Sequence, residues 1–316
     1  MKKSRVIILV LVAILSISLI VVLGYRGSVI AKAKTGYMVY ANEKIVVIDL
    51  EETTKTEYNI DGYSNCDNIG KYYGGDFSCR AINNKTNTQE ILLFKNGNVE
   101  RSYPVTEEII SLSAFNDIVY YLTIDGNLNC ISNNETQIIA NNIEEYALNS
   151  LGELVYIQEI ADNEDYDIES DMDGMLYYSV NGKTKKLGEA YRIIWLSDNE
   201  LLVGVENVAV ETDADGDLVY GAHALDEYIV TVDNNQWIFS KEFNKIPFIV
   251  DVSSDGKKAI TEICDSSLTY LYFGIYDIEK DIFSKKAIHD GIKNEDVFGE
   301  MYFDMGTLWL DENPMK

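Results

Sequence analysis

The chain is predicted to be all-β, and three observations predict it. From Tyr37 onward, short runs rich in Val, Ile, Tyr and Leu recur; clusters of Asn, Asp, Gly and Ser separate them; and no long stretch of this part carries a helical period. The runs are Ile45–Leu50, Glu90–Phe94, Ile118–Ile124, Glu153–Ile157, Met175–Val180, Glu200–Val205, Tyr228–Val232, Lys258–Ile263, Tyr270–Tyr276 and Thr307–Leu310. Asp125-Gly126-Asn127, Asn181-Gly182 and Ser254-Asp255-Gly256 punctuate them in the manner of consecutive antiparallel hairpins. The 22 tyrosines suit strands better than helices, and with three prolines no Pro-rich linker divides the chain. A length of 316 residues is enough for one large β domain or two small ones, with a core that needs no staples.

The first element differs from the rest. Val6–Leu23 reads VIILVLVAILSISLIVVL, with no charge and only two serines. As a helix, such a run rises about 27 Å at ~1.5 Å per residue, close to the roughly 30 Å of a bilayer's hydrocarbon core. It exceeds the ~7–15 apolar residues of a cleavable signal, which predicts a retained anchor. Ala31-Lys32-Ala33 has the small-x-small form of a cleavage site, so secretion after cutting behind Ala33 is the alternative. No Cys follows the run, which leaves no attachment point for a lipoprotein-type anchor. Lys2, Lys3 and Arg5 favour a cytoplasmic N-terminus; Arg26, Lys32 and Lys34 on the other flank oppose that rule, and the signal-like form of the terminus decides for it. The expected organisation is a short cytoplasmic tail over 1–5, a transmembrane signal-anchor helix over 6–23, a linker over 24–36 and an extracytoplasmic domain over 37–316. The protein is then a single-pass component of the cell membrane.

Charge narrows the partners. The formal net charge is −26, yet residues 1–34 hold six basic groups and no acid, so the other 20 of the 26 basic residues face all 52 acids. Such a domain repels phosphate backbones, which excludes nucleic acid, and it repels anionic headgroups. High charge of one sign also keeps an exported protein soluble.

The hairpins recur as a unit. Ser253-Ser254-Asp255-Gly256-Lys257-Lys258-Ala259-Ile260 resembles the S-P-D-G-K-x-L-A turn and strand of TolB-type β-propeller repeats, with Ser254 in place of the Pro. Weaker copies are Ser150-Leu151-Gly152-Glu153, Ser197-Asp198-Asn199-Glu200 and Asp304-Met305-Gly306-Thr307, and Asn116-Asp117 is a further turn of the kind. Gly152, Asn199, Gly256 and Gly306 step by 47, 57 and 50 residues, close to the ~40–50 residues of a propeller blade. Met301–Leu310 reads as the first two strands of a blade and Tyr37–Ile60 as its last two, so one blade closes from both chain ends and leaves no open sheet edge in the ring. The other blades fall at 61–105, 106–141, 142–189, 190–245 and 246–290. Six blades of four antiparallel strands are predicted; seven follow if 190–245 is two short units, and a pair of β-sandwiches is the structural rival.

Chemistry-bearing patterns are few. Glu169-Ser170-Asp171-Met172-Asp173-Gly174 and Glu211-Thr212-Asp213-Ala214-Asp215-Gly216 share the form E-x-D-x-D-G, which resembles the first half of an EF-hand-type calcium loop. The twelfth position holds Val180 or Ala222 instead of a bidentate Glu, so each reads equally as a solvated acidic hairpin tip. His223 and His289 are the only histidines and have no partner pattern. No G-x-S-x-G elbow, Walker loop or G-x-G-x-x-G occurs, so hydrolase and nucleotide motifs give no catalytic or cofactor residue. No CxxC or Cys/His pair supports a zinc site, and Cys66 and Cys79 are placed to face each other across a hairpin turning near Gly74-Gly75, as a disulfide or as small buried hydrophobes. Gly70 and Gly74-Gly75 among Tyr63, Tyr72 and Tyr73 read as strand ends and turns, with a carbohydrate-stacking surface as the other reading. Trp195, Trp237 and Trp309 are expected to pack between blades.

The functional expectation is a binding module for a protein or cell-surface glycan, without metal, cofactor or catalytic residues. The alternative is a calcium-dependent hydrolase or lyase with carboxylates at the propeller mouth. Raised carboxylates gathered at the central channel favour the second, and acids scattered round the rim favour the first.

Overall fold

The computed structural model describes residues 36–315 apart from 52–53, 161–173, 181, 213–217, 234–235, 243–247, 265–269, 281, 284–287 and 294–305; within strands, side chains are described outside 206–226, 232–248, 262–273 and 283–293. Every regular element described is a strand. The apolar segment Val6–Leu23 lies outside the described residues, among which no helix is long and apolar enough to cross a membrane.

In chain order, β1 (Tyr37–Asn42), β2 (Lys44–Asp49) and β3 (Lys55–Tyr58) form an antiparallel meander. A second meander holds β4 (Tyr63–Tyr73), β5 (Phe77–Asn83), β6 (Thr88–Lys95) and β7 (Asn98–Pro104). A third holds β8 (Ile109–Phe115), β9 (Ile118–Thr123), β10 (Leu128–Ser132) and β11 (Glu135–Ala140). A short parallel pairing, Tyr72↔Ala114 and Tyr73↔Phe115, joins the last two into one eight-stranded sheet. The fourth group is β12 (Ile143–Leu148), β13 (Leu154–Gln158), β14 (Gly174–Val180) and β15 (Lys183–Ala190). The fifth is β16 (Arg192–Ser197), β17 (Glu200–Thr212), β18 (Leu218–Asp233) and β19 (Gln236–Glu242). The sixth is β20 (Phe248–Val252), β21 (Lys258–Cys264), β22 (Tyr270–Asp277), β23 (Ile282–Phe283) and β24 (Ile288–Lys293), in which β23 and β24 both pair with β22. The last strand, β25 (Thr307–Leu310), returns to β1, from Tyr37↔Leu310 to Tyr40↔Thr307.

The two chain ends therefore share a sheet, in the order β25-β1-β2-β3. The division between them differs from the predicted two and two. One described strand comes from the C-terminal end and three from the N-terminal, because Glu43 (φ 56) turns the chain sharply enough to make two strands of 37–49. The long unit at 190–245 is taken up by a single hairpin, β17 and β18, of 13 and 16 residues.

The core is a succession of apolar layers, each between two neighbouring strand groups. Val39, Val47 and Ile45 meet Phe77, Leu92 and Phe94. Ile91 and Leu93 meet Leu112 and Val119, and Leu122 and Leu128 meet Tyr146 and Tyr156. Val155 and Leu176 meet Trp195 and Leu201; Leu196 and Leu202 meet Ile249 and Ala259. Ile260 and Ile275 then meet Met38, Val46 and Trp309, which brings the series back to the first sheet. A sheet buried on both faces reads as an unbroken apolar run, and β2 and β6 show it: their central residues, Ile45–Ile48 and Glu90–Phe94, are all buried.

After β8, β12, β16 and β20, the turn from the innermost strand to the next is the motif found in the sequence. After β20, Ser253 Oγ donates to Asp255 Oδ1 at 2.8 Å, Lys257 N donates to the same oxygen at 3.1 Å, and Gly256 N closes on Ser253 O at 2.9 Å. Gly256 is held at φ +67, and a Cβ on it would stand 2.4 Å from Leu196 O of the neighbouring sheet. After β12, Asn149 does the same work: its Oδ1 accepts from Leu151 N and Glu153 N at 3.1 and 2.9 Å. Asn116 and Asp198-Asn199 turn the chain after β8 and β16. Gly306 is out of phase with these. It precedes β25, which is itself the innermost strand, so the fourth sequence copy is not a structural equivalent of the others.

Candidate functional site: the central channel

The first strands of the sheets (β4, β8, β12, β16 and β20) and β25 line one cavity of about 490 Å³. Small or polar residues suit that position, since a tapering centre leaves little room, and Gly70, Ser111, Ser113, Ala147 and Thr307 all face it. Five charged residues do as well: Lys71 on β4, Glu144 and Glu145 on β12, Arg192 on β16 and Asp251 on β20.

Two ion pairs organise them. Lys71 Nζ lies 2.6 Å from Asp251 Oδ1, with the two side chains 26 % and 8 % exposed. The other oxygen, Asp251 Oδ2, accepts from the backbone N–H of Trp309 at 2.8 Å. One carboxylate thus ties β20 to β4 and to the closing strand β25. Burial works most strongly against the Lys71 ammonium, but Asp251, Tyr73 and Asp311 together outweigh it and the pKa is raised above the ordinary lysine value. Across the channel, Arg192 Nη1 donates to Glu227 Oε1 at 3.1 Å, and Nη2 donates to Ile249 O of the next sheet. Burial raises the Glu227 carboxyl above its usual range, with Arg192 opposing.

Glu145 is the third organiser. Its Oε2 accepts from Ile193 N on β16 at 3.0 Å, as Asp251 accepts from Trp309 N at the closure. Burial pushes its carboxyl up to about 7, while Arg192 and the Ile193 N–H oppose the rise and Glu144 adds to it. Hydroxyls complete the wall. Tyr146 OH donates to Tyr120 O at 2.9 Å and receives Ser113 Oγ at 3.2 Å, and Tyr73 OH reaches Leu148 O at 3.0 Å. Burial raises the Tyr146 and Tyr73 hydroxyl pKa values.

Because Glu145 holds its proton more tightly folded than unfolded, its stabilising contribution is complete below the ordinary glutamate value of 4.5 and is lost as pH rises through about 7. Glu145→Gln keeps an oxygen for Ile193 N and removes the charge. The variant is expected to exceed the parent in stability at pH 8 by on the order of 1–2 kcal/mol, and to lose that advantage at pH 4. Denaturant midpoints at the two pH values measure it, and a difference that does not change with pH rejects the assignment.

The sequence pointed elsewhere. The acidic loops lie outside the described residues, save that Gly174 opens β14 and Glu211 and Thr212 end β17. His223 falls in β18 and His289 in β24, with side chains outside the described set. Trp195 and Trp309 are buried between sheets as expected, and the Trp237 side chain lies outside the described set. Gly74-Gly75 forms the predicted β4–β5 turn, but Gly70 sits inside β4 against β8 rather than at a strand end. Of the nearby tyrosines, Tyr72 is buried and its OH reaches Glu100 Oε2 at 2.9 Å, while the half-buried Tyr63 OH reaches Glu90 Oε2 at 3.0 Å. Among the described residues, no group of three or more His, Cys, Asp or Glu is placed to hold a metal ion. The channel charges carried one signal that was missed. Lys71, Glu145, Arg192 and Asp251 each stand two to six residues ahead of the turn that follows an innermost strand.

No family model and no curated protein matches the chain. Solved structures do. TolB from Acinetobacter baumannii superposes with a TM-score of 0.50 at 9 % identity, covering 88 % of this chain and 67 % of that one. The β-propeller domain of the Trilobed protease from Pyrococcus furiosus gives 0.42 at 11 % identity, covering 76 % of each. At 9 % identity the likeness to TolB is one of fold, and it agrees with the sheet order, the layered core and the shared closing sheet: the chain folds as a TolB-like β-propeller.

Proposed function

We propose that the protein is a membrane-tethered, extracytoplasmic propeller of six blades that binds a protein or a surface glycan. The observation that carries this reading is the state of the channel. Lys71, Asp251, Arg192, Glu227 and Glu145 are satisfied by one another and by backbone groups of neighbouring strands. They act as stitches between blades, and recognition falls to the faces and the loops. Six apolar layers support the blade number. The uncharged run Val6–Leu23 behind Lys2, Lys3 and Arg5 supports the anchor and its outward orientation.

A second reading, an enzyme working at the channel mouth, draws on the raised carboxyls of Glu145 and Glu227, because a carboxyl titrating nearer neutrality suits a general acid or base. Crosslinking in intact cells tests the two. The full chain is expected to capture a reproducible protein or glycan that an anchor-only control does not, and Glu145→Gln is expected to leave that capture unchanged. Captures identical to the control, from folded and membrane-bound protein, reject the binding reading.

A further inference from the structure

We infer that Cys66 and Cys79 are a disulfide-forming pair, closed while the chain folds in an oxidising compartment. The inference rests on the outward location proposed above for its compartment and on the fold alone for its geometry.

Cys66 lies on β4 and Cys79 on β5, the two arms of the hairpin that turns at Gly74-Gly75. A straight antiparallel ladder in the register Asp67↔Arg80 sets Cys66 opposite Ala81 and leaves Cys79 diagonal to it. β4 is not straight there. Its register to β5 slips between Ser64 and Asp67 and again between Asp67 and Gly70, and Asn65 and Asn68 adopt φ 50 and φ 45. Cys66 lies within the first of these irregularities and between the two asparagines; the strand bends there, and its thiol is in hydrogen-bond contact with that of Cys79. Both are free thiols in this structure, buried at 1 % and 0 % exposure in the layer that includes Val39, Ile45, Phe77 and Leu308. Among the other cysteines, Cys130 stands on β10 in a different part of the ring, and the Cys264 side chain is outside the described residues.

The burial also sets when the bond forms. Cys66 N donates to Glu43 O at 3.1 Å, and Leu308 of the closing strand belongs to the layer over the two sulfurs. Until that layer is assembled the hairpin is open to an oxidant. While the hairpin is open both thiols are accessible, and the step is written with Cys66 as the first nucleophile. Its thiolate attacks the disulfide of a thiol-exchange catalyst or of a small disulfide, expelling one thiolate. Cys79 then gives up its proton and attacks the Cys66 sulfur of the mixed disulfide, expelling the second. The protein loses two electrons and two protons, and the oxidant leaves as two thiols.

The test refolds the full-length protein in detergent with oxidised and reduced glutathione, blocks free thiols in denaturant without reduction, and maps the peptides by mass. The expected product links the Cys66 peptide to the Cys79 peptide, and its melting midpoint falls on reduction; Cys79→Ser is expected to melt at one midpoint in either condition. A Cys130→Ser/Cys264→Ser variant, which retains only the proposed pair, is expected to give the same link. Refolded parent with both Cys66 and Cys79 blocked, or with either joined to another cysteine, overturns the pairing. The same mapping on protein taken from cells tests the compartment separately. Linkage after refolding but free thiols in cells overturns closure in the cell and the outward location, and leaves the geometric pairing standing.

Discussion

Asp251→Ala is expected to destabilise the propeller by about 3–5 kcal/mol, the usual cost of stranding one member of a buried ion pair. The residue is the single acceptor that three inner strands share: its own β20, β4 through Lys71 Nζ at 2.6 Å, and β25 through Trp309 N at 2.8 Å. Alanine leaves an ammonium in the channel without that counter-charge and a buried N–H without that acceptor, at the one seam where the ring is closed by non-covalent contact between the chain ends. Asp251→Asn is expected to fall between the parent and Ala, because its amide oxygen still accepts from Trp309 while the charge is gone. Lys71→Met in the Asp251→Ala background is expected to recover part of the loss, because it removes the stranded cation. Denaturant unfolding of the full chain measures all three, and an Asp251→Ala cost within ~0.5 kcal/mol, the range of an ordinary surface change, removes the clasp from the account. Proteolysis gives an independent readout, since loosening of β25 makes the C-terminal strand the first segment cut.

The same geometry explains how much of the fold was legible. The strands found from sequence are mainly second and third strands of their sheets, such as β2, β6, β13 and β21, whose two faces both meet apolar layers. Apart from β25, the innermost strands escaped because they serve the channel on one edge and bend to do so. β4 reads YSNCDNIGKYY, with two left-handed asparagines and a glycine, and has no strand-like run at all. Outermost strands escaped for the opposite reason. β11 and β15 are exposed along most of their length, so ETQIIA and KTKKLGEA carry little apolar alternation. The Asp255-Gly256 turn was legible because its chemistry is local: the side chain of Asp255 binds the backbone of Lys257. The Gly306 copy misled because a short turn-and-strand motif holds no information on which strand is innermost, and only the pairing of β25 with β1 supplies it. The pairing of the channel charges was invisible for a related reason. Their partners are distant in sequence, as with Lys71 and Asp251 or Arg192 and Glu227, and the ring alone brings them together.

That dependence on close approach at the centre gives the second large effect. Gly70→Ala is expected to cost roughly 3 kcal/mol or more, at the upper end of what overpacking does. A Cβ on Gly70 would lie 1.7 Å from Leu112 O and 2.5 Å from Leu112 C, a collision with backbone that no rotamer relieves. Neither strand is free to retreat. Below the contact, Asn68 Nδ2 donates to Ile109 O at 2.6 Å; above it, Tyr72 and Tyr73 pair with Ala114 and Phe115; and behind it, Ser78 Oγ holds Gly70 O at 3.0 Å. Opening the contact therefore breaks the parallel bridge between the second and third meanders and shifts Lys71, the next residue, away from Asp251. Gly188→Ala on β15 is the matched control, since nothing lies within 4 Å of the added carbon, and it is expected to change stability by no more than ~0.5 kcal/mol. If the two variants unfold at the same denaturant concentration, β4 and β8 do not approach as described, and the shared eight-stranded sheet with them is wrong. If Gly70→Ala alone fails, its loss is expected to overlap with that of Asp251→Ala in the double variant, because both act on the position of Lys71.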